Sequence, residues 1–168
     1  MAEKVQQTSV SFEQLLSQFP EIELPVVLGE DTHHVFSREN DPLHAAVIDQ
    51  FLLPLEEEEM DEMTEFVPCF RLPGTKDYRA IVYWKAGLLH YQYRLVTYDK
   101  KGNFIDGKVI AGTTFDGEDV TRSMATITDQ YQVYIVSGQQ QFQLDDYDAK
   151  MSTAVRFQIS NGGKIVEL

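Results

Sequence analysis

Apolar residues recur at helical spacing in the first third of the chain and at every second position beyond Phe66. Phe12, Leu15, Leu16 and Phe19 share one face of a helix. Ser11 stands where a cap is needed, and Gln14, three residues on, completes a capping-box pattern. Phe19-Pro20 ends this helix, because the residue before proline avoids the αR region. Glu21 to Leu28 reads as extended, with Ile22, Leu24 and Val26 alternating, and Pro25 argues against a central strand. A polar loop is expected from Gly29 to Asn40. Asp41-Pro42 then has the look of a cap and a first-turn proline. Leu43, Val47, Ile48 and Phe51 mark a second helix, stopped by Pro54.

From Phe66 the period is two. Ala80 to Trp84 is apolar on both faces, the mark of a central strand. Leu89, Tyr91, Tyr93 and Leu95 line one face of the next strand, with His90, Gln92 and Arg94 on the other, and Ala86-Gly87 turns between the two. Asp99 to Gly102 predicts a type I turn with Gly102 in αL, leading into a strand over 103–111. A loop is expected over Gly112–Val120. Thr121–Thr128 and Tyr131–Ser137 form a hairpin around Asp129-Gln130, and Gln140–Leu144 continues as a short strand. Thr153–Ile159 turns through Asn161-Gly162 into Lys164–Leu168.

Strands this close in sequence, without long crossovers, predict an antiparallel meander that curls. The fold class is therefore α+β, with two short N-terminal helices packed on a curled antiparallel β-meander of about seven to nine strands. Residues 1–10 read as a flexible tail and 11–168 as a single domain. Within it, 11–54 is helical, 55–65 an acidic loop and 66–168 the meander. No repeat of fixed period argues for a propeller or solenoid.

The 168 residues are 43% hydrophobic and 11% aromatic, enough material for a core. A net charge of -13 changes the picture more. Nucleic acid and anionic membrane surfaces are excluded as expected partners, since phosphate contacts come from Lys and Arg. A charged partner is expected to be a basic protein. One cysteine, Cys69, permits no internal disulfide, and the polar start lacks the apolar core of a secretory signal, so the expected location is cytoplasmic.

Candidate chemistry is sparse. Asp31, His33, His34, His44 and Asp49 offer imidazole and carboxylate in one stretch, but their spacing fits no metal motif, and solvated histidines in a polar loop explain them. The acidic run Glu56, Glu57, Glu58, Glu59, Asp61, Glu62 and Glu65 has no glycine turn of a calcium loop. It reads as a solvated loop or as a contact surface for a basic partner. Cys69 sits among Val67, Pro68 and Phe70, the surroundings of an inert buried thiol. Trp84, His90, Tyr91 and Tyr93, with Tyr83, Tyr98, Tyr131 and Tyr134, make either sheet core or the wall of a small-ligand cavity in the curled sheet. No catalytic residue, metal or cofactor is expected.

The stretches Leu95-Val-Thr-Tyr-Asp-Lys-Lys-Gly102, Phe104-Ile-Asp106 and Ile159-Ser-Asn-Gly-Gly-Lys-Ile165 are hairpin motifs, preceded by Phe19-Pro20 and Leu24-Pro25. In them about half of the chain resembles a class of uncharacterised small bacterial α+β meander proteins. The resemblance implies no activity and carries over no functional residue. Two readings follow from the residues themselves. The first is a non-enzymatic, immunity- or inhibitor-like module for a basic protein. The alternative is a small-ligand-binding or weakly catalytic domain built on the tyrosine-rich sheet.

Overall fold

The computed structural model describes residues 9–56, 63–141 and 152–168. Its frame is one sheet of nine strands, in which β2 (Glu65–Arg71), β3 (Tyr78–Ala86), β4 (His90–Asp99), β5 (Phe104–Asp116), β6 (Asp119–Ile127), β7 (Gln132–Gln141), β8 (Thr153–Ile159) and β9 (Ile165–Glu167) follow one another in space as in sequence. Each neighbouring pair is antiparallel, as a meander requires. A short strand β1 (Val26–Leu28) stands off this path and pairs with β6.

The expected loop over Gly112–Val120 is instead the tip of a long hairpin. β5 runs on to Asp116 and pairs with β6 through Gly112–Asp116. Gly112 lies at φ +137, and a Cβ built there falls 1.9 Å from the Tyr91 carbonyl oxygen, so only glycine lets the β4 backbone approach this closely. Before Gly112, β5 leaves β6 and stays with β4. β1 takes the edge so vacated, pairing Val26, Val27 and Leu28 with Ile127, Thr126 and Ala125. This exchange of neighbours folds the sheet over on itself.

One core fills the concave side. Ala80, Val82, Trp84, Tyr93 and Leu95 face Ala125, Ile127, Val133, Ile135, Phe157 and Ile159. Far from the tips of the β3–β4 and β5–β6 hairpins, the Thr97 hydroxyl donates to the Gly163 carbonyl (2.7 Å) and the Ile165 N–H to an Asp106 carboxylate oxygen (2.9 Å). The strand order nevertheless begins at β2 and ends at β9, which are not paired with each other among the described residues, so the ladder stays open. A second core lies on the other face of β3 and β4, where Ile81, Tyr83, Val96 and Tyr98 meet Leu15, Phe19, Leu43, Val47 and Leu52 of the helical segment. The two-faced burial of β3 is thus the central strand its unbroken apolar run predicts. Each such side chain contributes about 1.5–3 kcal/mol by leaving water.

The helices differ from expectation. Helix α1 (Phe12–Ser17) has the capping box, with the Ser11 hydroxyl accepting from the Gln14 N–H and the Gln14 amide oxygen from the Ser11 N–H. The polar stretch expected as a loop holds helix α2 (Thr32–Glu39). The second expected helix starts late, as a single turn α3 (Ala45–Val47) whose cap is His44 rather than Asp41, and it widens into a π-helical turn, Ile48–Leu52, and a 3-10 turn, Leu53–Leu55. The helices are therefore several short pieces rather than an N-terminal pair. Asn40, just after α2, donates its amide to the carbonyls of Pro68 (2.7 Å) and Cys69 (3.0 Å), while the Arg71 N–H bonds the Pro20 carbonyl. These contacts cover the outer edge of β2, which would otherwise offer an open template for another strand.

Candidate protein-docking surface

The β3–β4 and β5–β6 hairpins end side by side. His90 pairs with Thr114, and the Phe115 N–H bonds the Leu89 carbonyl at 3.0 Å. The β3–β4 tip carries Leu88 at 69% and Leu89 at 64% exposed, and Met63, also 69% exposed, precedes the Glu65–Ala86 pair at the start of β2; these are the most exposed large apolar residues among those described. Tyr91, 40% exposed, completes the patch. Asp116 and Glu118 are exposed on the adjoining tip, Asp119 is half-buried, and Glu65 is exposed at the start of β2. Exposed apolar side chains gathered at one end beside acidic ones are the composition of a contact surface.

This end is rigidly backed. The Trp84 ring stacks on Tyr91 (5.9 Å between centroids, 2° between planes), and Phe115 meets Tyr91 edge-on at 6.3 Å. Behind Trp84, His33 of α2 stacks at 4.4 Å and 3°. Of the four residues expected to line a ligand cavity, Tyr91 alone is exposed. Trp84 and Tyr93 belong to the concave core, with the Tyr93 hydroxyl donating to the Gly29 carbonyl at 3.2 Å and burial driving its pKa up. His90 is half-buried, and its Nε2 has no hydrogen-bond partner among the described residues. The concave side is filled at the tyrosines by its own side chains. Open space lies further along, in a groove of about 330 Å³ where β5 parts from β6–β8, lined by Lys108, Ile110, Ser123, Ser137, Val155 and Phe157.

The acidic run changes character at its first residue. Glu56, expected on an exposed surface, holds its carboxylate only 5% exposed, 2.5 Å from Lys85 Nζ and 2.6 Å from an Arg94 guanidinium nitrogen. Two cations on neighbouring strands draw it onto the sheet, and it offers nothing to a partner. Glu57, Glu58, Glu59, Asp61 and Glu62 lie outside the described residues. The flanks of the run are both anchored at one place, Glu56 on Lys85 and Glu65 on Ala86, next to the β3–β4 tip.

The other candidates separate. His33 and His34, expected in a polar loop, lie on helix α2 with ring centroids 3.9 Å apart. His44 belongs to a different segment, its N–H bonding Gln18. Among the described residues no three His, Cys, Asp or Glu side chains converge on a metal position. Cys69 is buried, its pKa pushed well up by desolvation, the opposite of an activated thiol. Leu88 and Phe115 escaped the sequence reading, and Leu89, expected on a strand face, stands exposed in the turn before β4. Their signal was the pair of leucines directly after Gly87, in a turn where polar residues are the rule.

No protein-family model, curated protein or solved structure matches this chain. No helix among the described residues is long and apolar enough to cross a membrane.

Proposed function

We propose that this protein is a non-enzymatic binding module that captures a basic protein through the paired hairpin tips. The observation that carries the reading is the concentration of exposed Leu88, Leu89, Met63 and Tyr91 at one end, rimmed by Asp116, Glu118 and Glu65. Apolar anchors supply affinity once desolvated, and the acidic rim selects a cationic partner and speeds its approach. The net charge of -13 extends that attraction over the whole molecule. The run Glu57, Glu58, Glu59, Asp61 and Glu62 enters this reading through its charge alone. Inhibitor and immunity proteins act on this plan, covering a basic partner without chemistry of their own.

The test is differential capture. The tagged protein is compared with Leu88→Ser/Leu89→Ser, with Asp116→Lys/Glu118→Lys, and with Glu57→Lys/Glu58→Lys/Glu62→Lys. A basic protein retained at physiological salt is expected to bind the leucine variant about 30-fold more weakly, the loss of a hot spot of about 2 kcal/mol. The charge reversals should slow association and flatten its salt dependence. Capture unchanged by all three would remove this end of the molecule as the docking surface.

A second reading attaches to the 330 Å³ groove, where the Lys108 ammonium lies 4.2 Å above the Phe157 ring beside the Ser123 and Ser137 hydroxyls. A small ligand there would raise the melting temperature, and Ser137→Leu would abolish the rise.

A further inference from the structure

Helix α2 carries a histidine pair at a position where a charge is awkward. His33 Nδ1 lies 2.8 Å from the Glu30 carbonyl oxygen, and a carbonyl only accepts, so Nδ1 carries the hydrogen. In the neutral ring Nε2 is then the basic atom, and protonation places a cation against the ring of Trp84, only 8% exposed, on which His33 stacks, and beside the tilted His34 ring, whose centroid is 3.9 Å away. The groups facing His33 pull in both directions. Asp31 and Glu30, on the same segment, favour the proton, though Glu30 is also 3.5 Å from Arg122 of β6. Trp84 of β3 is uncharged and offers a cation–π attraction. Tyr93 of β4 and Cys69 of β2 stay neutral, their pKa values raised by burial. Burial foremost, then the His34 ring, oppose the proton and outweigh the Glu30 carbonyl and the Asp31 and Glu30 carboxylates, which holds His33 below the ordinary histidine value.

The sign follows. A histidine whose folded pKa is depressed contributes stability that is complete above its unfolded value, about 6.5, and is lost as the pH falls through the folded value. What is lost here is local, because His33 stacks on Trp84 only at the N-terminal turn of α2, while Phe36 against Phe70 and the Asn40 bonds hold its other end. We infer that the N-terminal turn of helix α2 is a pH-operated clamp, which grips Trp84 while the His33 imidazole is neutral and loosens as it takes up a proton. Trp84 in turn backs Tyr91, so acidification weakens the docking end; that consequence rests on the docking reading above.

Trp84 is the only tryptophan, so its emission reports the clamp directly. The experiment titrates intrinsic fluorescence from pH 8 to 5 in the wild type, His33→Phe and His34→Gln, and follows α2 amide exchange corrected for intrinsic rates. The wild type is expected to show one transition with a midpoint below about 6.5, and faster α2 exchange with the same midpoint. His33→Phe keeps a ring on Trp84 and should abolish the transition. His34→Gln removes the neighbouring imidazole that opposes the His33 proton and should move the midpoint up. Wild-type emission that is flat over this range overturns the clamp, as does a His33→Phe titration like that of the wild type. Should His33→Phe misfold, His33→Gln serves the same comparison. Binding is read separately: a partner captured at pH 7.5 should leave at pH 5 from the wild type and stay on His33→Phe. Retention by both, with the emission still titrating, overturns only the link to docking. Failure of the hairpin-tip variants to change capture overturns the docking reading and leaves the fluorescence result standing.

Discussion

Glu56 illustrates how far a single residue's role depends on neighbours that are distant in sequence. Read along the chain, it opens a run of acids and shares their solvated fate. In the fold it is the anion between Lys85 and Arg94, with the Lys85 side chain 8% and the Arg94 side chain 23% exposed. No local pattern encodes this, because the two cations arrive from strands 29 and 38 residues away. Glu56→Ala would strand two cations, one of them nearly buried, and is expected to lower unfolding free energy by about 3–5 kcal/mol in urea denaturation. Glu56→Met with Lys85→Met should recover much of that, because removing both partners avoids most of the uncompensated charge. A double variant as unstable as the single one would mean that Arg94, rather than Lys85, is the main partner. Gly112 was equally opaque: as a letter it signals a loop, while its φ of +137 and the Tyr91 carbonyl beside it mark a close crossing of two strands.

At the scale of elements, legibility followed the strength of the periodic signal. The alternation in β4, the two-faced run in β3 and the capping box at Ser11 are all where the pattern put them. Helix α2 was missed because Phe36 is its one buried apolar residue, and a helix held by one anchor and by Asn40 leaves no amphipathic stripe to read. Turns were legible where backbone chemistry is explicit. At the β4–β5 turn, Gly102 has φ +95, and the Asp99 carboxylate accepts from the N–H groups of Lys101 (2.9 Å) and Asn103 (2.9 Å) and from the Asn103 amide (2.8 Å). The Asn103 bonds foremost hold Asp99 below the ordinary carboxylate value. A depressed carboxylate contributes stability that is full above the unfolded value of about 3.9 and fades as the pH falls through the folded one. Asp99→Asn should therefore flatten the decline of thermal stability between about pH 5 and 2, relative to the wild type. An unchanged acid limb would show that the turn is held by its backbone bonds alone.

For the whole molecule, the order of strands was legible from β2 to β9, because each of these strands pairs with its neighbour in sequence; β1, which pairs with β6, is the exception. The exposed patch was not, since exposure is a property of the folded surface rather than of any segment. The same holds for how the charge acts. A net charge of -13 on a chain of 168 residues opposes compaction everywhere at once, while ion pairs such as those of Glu56 favour it only at short range. The two respond differently to salt. Screening at 0.1 M acts beyond about 10 Å, which removes diffuse repulsion and leaves the Glu56 contacts, sheltered from solvent, almost intact. Melting temperature is therefore expected to rise by several degrees between about 10 and 300 mM sodium chloride, with most of the gain in the first 100 mM. A fall over that range would mean that attractive surface pairs outweigh the net charge. The comparison also bears on function: the repulsion that salt relieves in the free protein is what a bound cationic partner would relieve in its place, so a true partner should make stability nearly independent of salt.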